Sequence, residues 1–213
     1  MTSANPPPPP RQPIFNLPAA TEALLAVNIA VWAVLLVLPE SGDDAVIMRF
    51  GFTPALYRVS GLGWGLGWQT IVDPVTYQFL HAGLTHLAVN MLGLVAFGAG
   101  VERRLGGWRY VVFNLLCGIA GAFTELAVSP GSSDVVIGAS AAVSGLFGAI
   151  LRLAVFRRGF WVLVALWLVM NAVAGITGVG AEGEPVAWIA HVGGFVAGLL
   201  LYPLFVRREF RGK

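Results

Sequence analysis

Charge is scarce in this chain. Only 11% of its 213 residues are Asp, Glu, Lys or Arg, where soluble domains carry about a quarter, and the deficit argues against a water-soluble globule. Cysteine is nearly absent. The single Cys117 excludes an internal disulfide and leaves too few thiolates for a zinc or iron–sulfur centre. The 27 glycines follow no triplet and the 13 prolines crowd toward the start, so neither a collagen-like nor a generally disordered chain fits. No basic stripe exists either, so a net charge of +2 and a pI near 9.0 speak for membrane topology and against a nucleic-acid partner. Apolar residues fill the space left: they make up 57% of the chain, at a mean hydropathy of +0.77. The composition is that of a one-domain integral membrane protein.

A membrane-spanning helix needs about 20 mainly apolar residues, and six segments qualify: 21 to 38, 82 to 101, 108 to 127, 137 to 156, 160 to 178 and 187 to 206. All should be helical, because lipid cannot satisfy an open backbone. With the N-terminus inside, Arg11, Arg103, Arg104, Arg109, Arg152, Arg157, Arg158, Arg207, Arg208, Arg211 and Lys213 fall at the cytoplasmic face, and only Arg49 and Arg58 fall outside. That asymmetry places both termini in the cytoplasm.

Residues 1–20, with Pro6 to Pro10 in a row, read as an extended cytoplasmic tail. They lack the basic start of a secretory signal, so the first helix is expected to remain attached. Residues 21–206 form the transmembrane domain and 207–213 a basic tail. The long stretch from Pro39 to about Leu80 carries Phe50, Phe52, Tyr57, Trp64, Trp68, Tyr77 and Phe79. It reads either as an interfacial aromatic belt or as a partly embedded lid beside a site.

Polar groups at bilayer depth are costly and hence candidates for function. They are His81, His86, Asn90, Ser140, Ser144 and His191, with Asn28, Asn114 and Asn171 elsewhere. Counting back from the basic inner ends puts Ser140, His86 and His191 at one level, roughly 5 to 6 Å below the outer surface, and Asn90 roughly 12 Å below. His81 and His86, five apart, are expected on different helical faces with no carboxylate beside them, so no metal is expected. His86 and Asn90, four apart, share a face. Ser140 opens the fourth helix, where unpaired amides and the positive dipole end would receive an oxyanion. His191, kept neutral by its surroundings, is the candidate base. Small residues give the geometry: His191, Gly194 and Gly198 line one stripe of the sixth helix, and Ala141, Gly145 and Ala149 one of the fourth. Packing these stripes together would bring Ser140 to His191. Asp134 and Glu125 belong near the outer interface, so the expectation is a Ser–His dyad without a third, acidic member.

These residues resemble the rhomboid intramembrane serine proteases. The resemblance runs through HAGLTHLAVNM with His81, His86 and Asn90, then VERRLGGWR, GASAAVSGLFGA and AHVGGFVAG, in that order. It implies an all-α, six-helix membrane bundle with a partly embedded first loop, cutting other membrane proteins in or near their transmembrane segments without a cofactor. Ser140 would be the nucleophile and His191 the general base. His86, Asn90 and the Ser140 amide would hold the oxyanion, with His81, Gly138, Ala139, Gly194 and Gly198 supporting the site. Ala141 departs from the family's usual GxSG and admits Ser144 as a rival nucleophile, one turn deeper. The compact size suits a bacterial inner membrane, with the site open to the outer side. Oligomeric state leaves no trace in the sequence. A proteolytically inert adaptor for transmembrane helices is the alternative reading; a channel would call for paired charges or repeated helices, which are missing.

Overall fold

The computed structural model describes residues 16–59, 67–152, 159–177, 187–207 and 209. Most of the proline-rich tail, Trp64, the inner end of the expected fourth segment and most of the basic C-terminus lie outside these.

Everything regular in the described residues is helical. Helix α1 (Ala19–Leu36) is followed by three short helices, α2 (Glu40–Phe50), α3 (Pro54–Val59) and α4 (Gln69–Thr76), and a 3-10 turn at Tyr77–Phe79. Helix α5 (Leu84–Gly93) runs through a π-helical turn, Leu94–Gly98, into α6 (Ala99–Leu105). Then come α7 (Gly107–Val128), α8 (Ser140–Arg152), α9 (Phe160–Thr177) and α10 (Trp188–Phe205). Four described spans are long and apolar enough to cross a bilayer: Ala19–Leu36, Leu84–Leu105, Gly107–Val128 and Trp188–Phe205. Ser140–Arg152 and Phe160–Val173 are shorter apolar helices. The expected segment at 137 to 156 thus begins three residues later, after a turn at Gly138 whose φ of +115° favours glycine.

The buried glutamate of the ERR sequence has a structural purpose. The Glu102 carboxylate accepts bonds from the Ala20 amide (3.0 Å), the Thr21 amide (2.6 Å) and the Thr21 hydroxyl (2.7 Å). It caps the orphan amides at the N-terminus of α1, where the helix dipole favours negative charge, and so ties α1 to the end of α6. Gly106, at φ +83°, then turns the chain into α7.

The core is built by α7, α8 and α10, which approach closely because small residues face one another. A methyl group on Gly194 would stand 2.0 Å from the Ala141 carbonyl oxygen, and one on Gly198 would stand 2.0 Å from that of Gly145. The two small-residue stripes therefore lie against each other. Around them Leu146, Ala149, Cys117, Phe113, Tyr110 and Tyr202 are buried.

The first-loop aromatics divide between a buried cluster and an exposed face. Phe52, Tyr57 and Tyr77 are buried in one cluster with Ala122 of α7 and Val136, whereas Trp68 remains 47% exposed with the Arg49 guanidinium 4.5 Å from its ring centre. The loop also holds the segment leading to α8. Phe52 and Val136 exchange backbone bonds of 3.0 and 2.8 Å, the Ala55 amide donates to Ser132 (2.9 Å), and the Gly138 amide donates to Tyr77 (2.9 Å).

Candidate active site

The turn before α8 is braced by the first loop, and Ser140 emerges from it as the first helical residue. The amide of Val143 is bonded to the Ala139 carbonyl (2.9 Å), as a regular first turn requires. The amides just before it lie at the positive end of the helix. Gly138 leaves room for a neighbour as well as a turn: a methyl there would stand 2.7 Å from His86 Nε2 and 3.7 Å from Ser140 Oγ. His86 therefore lies over the turn that delivers Ser140.

His191 sits in the first turn of α10 and is brought to Ser140 by the Gly194–Ala141 approach. Its Nε2 lies 2.7 Å from Ser140 Oγ, and its Nδ1 lies 2.5 Å from Asn171 Oδ1 on α9. Asn171 Nδ2 donates to the Trp167 carbonyl at 2.8 Å. Fifty-one residues of sequence separate Ser140 from His191 and twenty separate His191 from Asn171, yet the three side chains form one hydrogen-bonded line.

Asn90 is buried, and its side-chain amide donates to the His86 carbonyl one turn back, at 2.9 Å. That bond uses one of its two amide protons. The expectation for His81 needs correction. The five-residue spacing puts it on a face of the helix away from His86, but the helix begins at Leu84, so His81 precedes it and helical spacing does not govern the pair. The two rings meet edge to face, with centres 5.1 Å apart. His81 is buried, a ring against which His86 packs. Among the described residues no group of three or more His, Cys, Asp or Glu is arranged to hold a metal ion.

The rhomboid-domain family model matches residues 68–208, a span containing every side chain named in this site. The chain belongs to the rhomboid family. It is 30% identical over 177 residues to the rhomboid-named protein YdcA of Bacillus subtilis, covering 79% of this chain and 87% of that one. Rhomboid protease GluP of the same organism is 28% identical over 181 residues, covering 85% of this chain but 34% of GluP, so this chain spans about a third of that relative's length. Rhomboid-type serine protease 2 of Emericella nidulans is 29% identical over 140 residues, 63% of this chain and 26% of that protein. Family membership and the apolar helices together make this an integral membrane protein.

Within this rhomboid the unusual Ala141 is accommodated by its neighbour. Ala141 is 1% exposed, and a methyl on Gly121 of α7 would stand 2.6 Å from its Cβ. The extra methyl therefore occupies space that Gly121 leaves open. Ser144 is buried one turn further along α8, while the imidazole nitrogen lies against Ser140. The contact that sequence reasoning missed is Asn171. Its signal was present, an amide in an otherwise apolar segment, but only the rotation of α9 against α10 turns it toward His191.

Proposed function

We propose that this rhomboid is an intramembrane serine endopeptidase that hydrolyses peptide bonds in or near the transmembrane segments of other membrane proteins. The observation that carries this reading is the 2.7 Å approach of His191 Nε2 to Ser140 Oγ at the start of α8. His191 takes the Ser140 proton as the oxygen attacks the scissile carbonyl, and the carbonyl oxygen becomes an oxyanion at the amide end of α8. The Ser140 amide, His86 and Asn90 are its donors. His191 then returns the proton to the leaving amine; water, deprotonated by the same ring, releases the acyl group from Ser140. Neither metal nor cofactor enters these steps. Ser140 and His191 act as a nucleophile and base with no carboxylate, and Gly138, Ala139, Gly194 and Gly198 shape the approach. The bundle crosses the membrane six times with both termini cytoplasmic, and the site opens toward the outer face of a bacterial inner membrane.

A fluorophosphonate, which reacts with activated serines, tests the assignment on purified protein in detergent. The wild type should become labelled and Ser140→Ala and His191→Ala should not. Equal labelling of wild type and Ser140→Ala would refute the nucleophile. A labelled enzyme should also cut a single-span substrate; binding of that helix without labelling or cleavage would replace the protease reading with an adaptor.

A further inference from the structure

We propose that Asn171 is the positioning residue of the His191 imidazole, holding the proton on Nδ1 so that Nε2 faces Ser140 as a bare acceptor. The inference rests on the protease reading for its consequence and on hydrogen-bond bookkeeping for its content. An amide's oxygen and nitrogen must be assigned from their partners. Here the assignment has one solution, because the Trp167 carbonyl only accepts and the amide atom 2.8 Å from it must be Nδ2. Oδ1 then faces His191 Nδ1 at 2.5 Å. An amide oxygen also only accepts, so Nδ1 must carry the hydrogen. A neutral imidazole has one N–H, which leaves a lone pair on Nε2 for the Ser140 hydroxyl 2.7 Å away. The opposite tautomer would set two lone pairs against each other at Nδ1, and at Nε2 it would make the Ser140 hydroxyl an acceptor with no base for its proton.

The packing around this line supports the same geometry. Trp167 and Asn171 are one turn apart on α9, and His191 and Phe195 are one turn apart on α10, so each pair shares a helical face. The Trp167 and Phe195 rings stack, with centres 4.5 Å apart and planes 22° apart. The stack fixes the register of α9 against α10, and that register presents Asn171 to His191. When His191 takes the Ser140 proton both ring nitrogens become donors, and Oδ1 still accepts from Nδ1. A neutral amide can thus orient the ring through the whole step, as in Cys–His–Asn enzymes, without bringing a carboxylate into the bilayer.

The test reads the tautomer directly. The chain has three histidines, so histidine labelled with 13C and 15N gives three ring spin systems, and His191→Gln identifies the one at issue. Wild-type His191 should show a protonated Nδ1 and a bare Nε2. In Asn171→Leu the Nε2–H tautomer should appear and fluorophosphonate labelling should slow by about 10- to 100-fold, with thermal unfolding little changed. Asn171→Asp, which keeps an acceptor oxygen, should restore the Nδ1–H tautomer. A wild-type ring protonated on Nε2 would overturn the proposal, and this outcome can be read even if Asn171→Leu does not fold. So would an unchanged tautomer in Asn171→Leu, with labelling reduced only as far as stability is. Failure of the protease reading looks different: the wild type would resist the probe while its tautomer stayed as described.

Discussion

Helices α8 and α9 both contribute to the site, but they are held in different ways. Helix α8 is locked between α7 and α10, with Ala141, Ala142, Leu146 and Ala149 at 0 to 1% exposure and glycines set against carbonyl oxygens. Helix α9 meets its neighbours through Phe160, Val164 and Trp167, packed near Leu151, Phe147, Phe195 and Leu199. Its Trp161, Val162, Leu166, Val169 and Met170 face outward, each more than half exposed. The contrast separates two tasks. Ser140 and His191, the proposed nucleophile and base, come from a packed trio in which backbone contacts leave little room for adjustment, whereas Asn171, proposed to orient the base, comes from a helix held mainly by aromatic side chains.

Gly198→Ala is the most severe way to test the rigidity of the trio. Alanine in a helix interior ordinarily gains about 1 kcal/mol over glycine. Here the new methyl would meet a carbonyl oxygen at 2.0 Å, so the sign should reverse, with a loss of at least about 3 kcal/mol in thermal unfolding in detergent. An outward change on α9, Leu166→Ala, should move the same measurement by less than about 1 kcal/mol. Equal losses would erase the distinction between the two helices.

The first loop braces the trio, and its contribution should depend on pH. Asp73 lies outside the spans and is fully buried. Burial pushes its carboxyl up to about 6, against the hydrogen bond from Tyr57, which pulls the other way. The Tyr57 hydroxyl also lies 2.9 Å from the Thr70 carbonyl; a protonated Asp73 that donates to Tyr57 would free the phenol to donate there. A carboxyl raised in the folded state supports stability below its unfolded value of 3.8 and loses that support as pH climbs through about 6. Wild type should therefore lose up to about 2 to 3 kcal/mol between pH 4 and pH 7, and Asp73→Asn should flatten that slope. Parallel profiles for the two proteins would show that Asp73 is not the titrating group.

How far the sequence could be read follows the same division. Lipid imposes span length, and small residues at four-residue spacing reveal close approach, so the apolar segments and the Ala141–Gly194 contact were legible. The turn before Ser140 depends on Phe52, Ala55 and Tyr77, far away in the chain, and no local pattern announces such bracing. Spacing alone misplaces His81 because Gly83 caps α5 without a side-chain bond, leaving the helix boundary unmarked. Asn171 was visible as a polar residue, but a polar residue acquires a partner only through helix rotation, which here depends on Trp167 stacking on Phe195.

That dependence can be broken at the stack. Trp167→Ala removes the ring but leaves the side chains of Ser140, His191 and Asn171 chemically unchanged. It should slow fluorophosphonate labelling by about tenfold through loss of α9 register, while unfolding of the trio shifts much less than in Gly198→Ala. If labelling and unfolding fell in proportion, α9 would be part of the rigid core and the contrast would fail.

Ala141→Gly gives the smallest and finest test, because it recreates the family's usual GxSG inside the packed trio. Removing one buried methyl costs about 0.8 kcal/mol, and glycine inside a helix adds about as much again. Relaxation of α7 toward the space above Gly121 offsets part of that, so a net loss near 1 kcal/mol is expected. The labelling rate should stay within about twofold, since the methyl points to Gly121 while Ser140 is held by the turn at Gly138. A rise in labelling of several-fold would show instead that Ala141 displaces the nucleophile, and that the trio transmits strain from its α7 side to Ser140.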